Sequence, residues 1–88
     1  MSKPIALRDY ATTGMVSPET VNAISALGAG EAMVTHEPFW APAPYRCWTR
    51  LLKPDGQWTR NLGQYGATVQ EAADDLLAKL REREARRG

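Results

Sequence analysis

Residues 45–62 read YRCWTRLLKPDGQWTRNL, and this stretch decides the fold. Pro54-Asp55-Gly56 has the composition of a type I turn closed by a left-handed glycine. Tyr45–Lys53 and Gln57–Leu62 are therefore expected to be the arms of a hairpin with a three-residue loop. If Lys53 pairs with Gln57, Leu52 stands opposite Trp58, Arg50 opposite Arg60 and Trp48 opposite Leu62, all on one side of the sheet. The other side takes Tyr45, Cys47, Thr49, Leu51 and Thr59.

On the N-terminal side, Glu31–His36 (EAMVTH) alternates and reads as a third strand, with Ala32 and Val34 on one face and Met33 and Thr35 on the other. Pro38, Pro42 and Pro44 turn residues 37–44 (EPFWAPAP) into a stiff, extended loop with Phe39 and Trp40 at its tip. Ser17-Pro18-Glu19-Thr20 combines an N-cap, a proline at the first helical position and an early acid, so a short helix is expected at about 17–27. Val21, Ile24 and Leu27 share its apolar face, and Gly28 and Gly30 are expected to stop it. Residues 1–16 contain Pro4 and Gly14, lack a sustained period and read as an extended N-terminal arm.

On the C-terminal side, Gly63-Gln64-Tyr65-Gly66 reads as a connector and Thr68-Val69-Gln70-Glu71 as a capping box opening a helix at about 68–84. Val69, Ala72, Ala73, Leu76, Leu77 and Leu80 form its apolar stripe, acids gather at its start and bases at its end, and the tail after Leu80 is expected to fray. The expected fold class is α+β: a short helix, a three-stranded antiparallel sheet and a C-terminal helix packed on one face. That makes a single α-β-β-β-α domain over residues 17–88, behind the arm 1–16. Leu76, Leu77, Leu80, Val69, Val34, Ile24 and Leu51 are its expected core.

Composition limits the function. The 88 residues suit one domain, and with only 15 Leu, Ile, Val and Phe the core must lean on Ala and Trp, so stability should be thin unless a homodimer or another partner adds to it. No apolar run nears the roughly 20 residues that cross a bilayer, and no secretory profile opens the chain, which points to a soluble, cytoplasmic protein with no membrane partner. One cysteine and one histidine leave no disulfide and no Cys/His zinc site. Glycines 28, 30, 63 and 66 are not followed by Lys-Ser/Thr, so no phosphate loop forms and no cofactor is expected. His36, Glu37 and Cys47 invite a Cys/His catalytic reading. Nothing orients the histidine, however, and a cysteine among strand residues acts as a small buried hydrophobe, so no enzymatic site is expected. Asp74 and Asp75, adjacent on a helix, point apart and read as a solvated face.

The net charge of +1 hides a basic middle: residues 38–66 hold Arg46, Arg50, Lys53 and Arg60 against Asp55 alone, and six of the seven aromatics. Trp, Tyr and Arg are the residue types of interface hot spots, and a proline-stiffened loop presents Phe39 and Trp40 at a low ordering cost. The expected function is a non-enzymatic protein-binding module using Phe39, Trp40, Tyr45, Trp48, Arg50, Trp58 and Arg60. The alternative is nucleic-acid binding, with the hairpin's tryptophans stacking on bases and its arginines on phosphates. The plain rival is structural, with Phe39 and Trp40 folded back over the sheet and arginines resting on tryptophans.

The order helix, three strands, helix resembles the double-stranded-RNA-binding domain, and Gly66, Thr68 and Ala72 fall where that family has its glycine, its Ser/Thr cap and its first small helix residue. Where that family carries lysines, this chain has Val69, Gln70 and Ala73, followed by Asp74 and Asp75. The resemblance therefore implies the fold without the cationic grip on phosphates. In size and layout the chain also resembles small accessory proteins of phages and mobile elements, anti-CRISPR proteins among them. That likeness implies an inhibitor that occupies a surface of a host effector complex.

Overall fold

The computed structural model describes residues 3–27 and 30–87. Its elements in chain order are β1 (Ile5–Ala6), α1 (Leu7–Thr12), α2 (Pro18–Ala26), β2 (Met33–His36), a 3₁₀ turn (Pro38–Trp40), β3 (Tyr45–Thr49), β4 (Leu62–Gly66) and α3 (Val69–Arg87). The fold class is α+β, with an antiparallel sheet in the order β1-β2-β3-β4 and the C-terminal helix packed against β3 and β4. The sheet has four strands where three were expected.

The fourth strand comes from the segment read as an arm. Ile5 pairs with Val34 and Ala6 with Met33, and the Leu7 N–H extends the ladder to the Ala32 carbonyl at 2.8 Å. Leu7 and Val16 are buried, at 1% and 2% exposed, so the segment 5–16 is docked on the core through these two side chains and is no free appendage. Two strand residues and six helical ones are too few to print a period, and neither element would persist alone. Docking onto β2 and α2 holds them, and Gly14, at φ +80, turns the chain from α1 into α2.

The hairpin forms with a shifted second arm. The Lys53 N–H donates to the Gln57 carbonyl at 2.7 Å, and Leu52 lies opposite Trp58, as expected. Beyond them Thr49 pairs with Leu62 and Trp48 with Gly63, one residue off the expected register. Arg60 and Asn61 together oppose Arg50, which is a β-bulge. Because side chains alternate, the slip moves Leu62 off the Trp48 face and onto the core face. The regular strand is Leu62–Gly66, so the expected connector is an edge strand and the expected arm Gln57–Leu62 is mostly irregular.

The two longer helices are built as their caps indicate. Ser17 Oγ accepts from the Glu19 N–H at 3.2 Å at the head of α2. Gly28, expected to stop α2, lies outside the described residues, and Gly30 instead donates its N–H to the Arg50 carbonyl at 2.8 Å. Thr68 Oγ1 accepts from the Glu71 N–H at 3.1 Å, while the Glu71 carboxylate reaches back to the Ala67 N–H rather than to Thr68. The expected fraying after Leu80 is replaced by helix to Arg87, with Glu82 paired to Arg86 one turn on. Gln70 ties α3 to α2: its side-chain carbonyl accepts from the Ser17 N–H at 2.6 Å and its amide donates to Thr20 Oγ1 and Asp74 Oδ1.

The core lies between the helices and one face of the sheet: Ile24, Val34, Val69, Leu76, Leu77 and Leu80 are buried as expected, and Leu51 is partly buried against them. Ala32, Ala72, Ala73 and Cys47 complete it.

Candidate binding face

Val34, Cys47 and Thr49 are buried towards the helices, so the alternating residues Met33, Thr35, Arg46 and Trp48 stand on the opposite face. That face carries Trp48, and Trp58 extends it onto the hairpin. The Arg46 guanidinium lies 5.8 Å from the Trp48 ring centroid and that of Arg50 5.1 Å from Trp58. Trp58, 44% exposed, rests on Gly30, where a Cβ would come within 3.3 Å of its ring. Beside Trp48 runs a shallow groove of about 440 Å³, lined by Gly30, Glu31, Met33, Trp48, Thr49, Arg50 and Asn61.

The loop 37–44 supplies the other end. Its prolines do not leave it fully extended: Pro38–Trp40 closes a 3₁₀ turn and the Ala41–Pro42 peptide is cis. Phe39 is 78% exposed and Trp40 52%. Trp40 packs on Tyr65 of β4 at 5.6 Å between centroids and Phe39 on Trp40 at 6.1 Å. The loop thus leans on the rim of the sheet without burying its rings.

Of the expected site residues, Phe39, Trp40, Trp48, Arg50 and Trp58 form this exposed aromatic and basic surface, and Arg60 sits exposed at the bulge. Tyr45 is set on the helix side, paired with His36 and Gly66 and packed against the core. Tyr65 and Arg46 belong to the face and were not singled out from sequence. Tyr65 was hidden by the glycines that made its strand look like a connector, whereas the alternation of 46 with 48 and 50 already placed Arg46.

Among the described residues, Trp48 Nε1, Thr35 Oγ1 and Glu37 Oε2 are buried polar atoms without a hydrogen-bond partner. Trp48 and Thr35 belong to this face, and Glu37 opens the loop beside it. Cys47 is on the other side, wholly buried, with its thiol pushed up to about 12 by desolvation, which the neighbouring Arg46 only partly offsets. At neutral pH it holds its proton and offers no thiolate. The His36 ring packs on Tyr45 at 4.8 Å. Among the described residues no His/Cys/Asp/Glu group of three or more is placed to hold a metal ion, and no helix is long and apolar enough to cross a membrane. Comparison with protein-family models, curated proteins and solved structures finds no match.

Proposed function

We propose that this chain is a non-enzymatic protein-binding module and that the face opposite the helices, together with the loop 37–44, is its docking surface. The observation that carries this reading is the placement of Phe39, Trp40, Trp58 and Tyr65, all at least 40% exposed, on one side of a domain whose helices cover only the other. Aromatic and arginine side chains of this kind are the anchors that account for most of an interface's affinity.

Protein is favoured over nucleic acid by how the rings are used. Arg46 and Arg50 lie over the indoles, and Trp40 packs on Tyr65, so planes on which bases would stack are already engaged. In the manner of the phage accessory proteins that its size and layout resemble, the module would act by occupying a surface of a host effector complex. The test compares wild type with a Phe39→Ala/Trp40→Ala variant in pull-downs from host lysate, with thermal melts alongside. A specific protein lost by the variant at an unchanged melting temperature supports the reading, and loss of the fold supports a purely structural role. Gel shifts with single- and double-stranded DNA and RNA at two salt concentrations are expected to show no tight binding. A strong complex that weakens steeply with salt would transfer the face to nucleic acid.

A further inference from the structure

The two edges of the sheet differ in how they are guarded. The β1 edge is two residues long and is preceded by Lys3 and Pro4, both of which discourage an added strand. The β4 edge, Leu62-Gly63-Gln64-Tyr65-Gly66, has no charge and no proline, and among the described residues no strand pairs with its outer side.

The phase of the ladder says which groups that edge presents. Glu37 and Gly30 donate to the carbonyls of Pro44 and Arg50, so even-numbered residues of β3 aim their backbone at β2. The Thr59 N–H donates to the Leu51 carbonyl, so odd-numbered ones aim at β4. Tyr45, Cys47 and Thr49 therefore bond Gly66, Gln64 and Leu62, and the N–H and C=O groups of Gly63 and Tyr65 point outwards.

This arrangement is its own complement under a two-fold axis through Gln64. We propose that β4 pairs antiparallel, edge to edge, with β4 of a second copy of this chain, Gly63 of each copy opposite Tyr65 of the other. Two pairs of backbone hydrogen bonds then form, and the two Gln64 residues meet as a non-hydrogen-bonded pair on the axis, with side-chain amides able to bond each other. On the open face Tyr65 of each copy lies opposite Gly63 of the other, where the place of a side chain is taken by the Arg46 guanidinium, 3.0 Å from an ideal Cβ, and by Trp48 Cβ at 3.1 Å. The bulge at Arg60–Asn61 ends the regular edge and so limits the pairing to residues 62–66. The dimer carries an eight-stranded sheet and brings both Trp40–Tyr65 clusters to its centre. It does not depend on the identity of any other partner.

Sedimentation velocity of the full chain from about 10 µM to about 1 mM is the test, because so short an edge should associate weakly. The mass is expected to rise from 9.7 kDa towards twice that value. A mass fixed at one chain throughout overturns the proposal. Gln64→Lys and Gln64→Glu set like charges opposite each other on the axis, so each alone should remain at single-chain mass, and an equimolar mixture should regain the dimer. A misfolded variant cannot produce that rescue. A wild-type dimer that persists in both variants, or a mixture that stays at single-chain mass, overturns this geometry. Without any variant, an isotope-filtered spectrum of mixed labelled and unlabelled wild type should show an Hα–Hα contact between the two Gln64 residues. Its absence from a dimeric sample overturns the register.

Discussion

Cys47 and Gly66 show how single positions constrain this domain. The Cys47 thiol is raised from its ordinary 9.0 to about 12 by burial, so the folded state keeps a proton that the unfolded chain releases above pH 9. This contribution to stability is complete below pH 9 and is lost as pH rises towards 12, with a slope of up to about 1.4 kcal/mol per pH unit. The Tyr10 phenol, also raised by burial and by Tyr45 beside it, acts with the same sign above pH 10. Urea titrations between pH 8 and 11 are expected to give a falling stability for wild type and a shallower fall for Cys47→Ala. At Gly66 a Cβ would stand 2.4 Å from the Ala72 nitrogen, so the strand can approach the first turn of α3 only as glycine. Gly66→Ala should cost about 2 kcal/mol or more, read as a lowered denaturation midpoint. The same change at Gly63 presses instead on the Arg46 guanidinium and Trp48 Cβ, where the long side chain can yield.

At the scale of elements, β1 and α1 matter most, because the core is incomplete without them. Leu7 occupies the same buried cluster as Ile24, Val34 and Leu76. Leu7→Ala is expected to destabilise by about 2–5 kcal/mol, an effect that no mobile arm would give, and chemical denaturation measures it directly. The joint between α2 and α3 depends on Gln70, which bonds a backbone N–H, a hydroxyl and a carboxylate at once. Gln70→Ala strips the Ser17 N–H of its acceptor and should cost about 1–2 kcal/mol, again visible in the denaturation midpoint.

Over the whole molecule, the helices concentrate burial on one side of the sheet, and order should follow burial. Backbone amides of Cys47, Thr49 and the Ala73–Leu80 stretch of α3 are expected to exchange slowest with solvent. Those of Lys53–Arg60, nearly all exposed and tied to the rest by few hydrogen bonds, are expected to exchange fastest. Hydrogen exchange followed by NMR gives both rates in one experiment. Uniform protection across residues 53–60 would show the hairpin tip to be more firmly held than its contacts imply. The open face is then a surface of mixed firmness, with Trp48 anchored in β3 and Trp58 on the looser hairpin.

The sequence alone determined what depends on neighbours along the chain. The Pro54-Asp55-Gly56 turn, the Ser17 and Thr68 caps and the apolar stripe of α3 all act within a few residues, and all stand where they were read. The sequence leaves open whether Phe39 and Trp40 stand out or fold back over the sheet, and the tertiary structure decides it, with both rings exposed. Only the tertiary structure decided the four-stranded sheet, the buried Leu7, the bulge and the strand Leu62–Gly66. Segments of two to six residues carry too little period of their own and hold their shape through the partners they dock on. The bulge is the clearest case: one extra residue at Arg60–Asn61 reverses which face Leu62 serves and turns a glycine-rich connector into the sheet's open edge. No local preference in NLGQYG states that choice. The packing of Gly66 against α3 and of Leu62 against the core makes it.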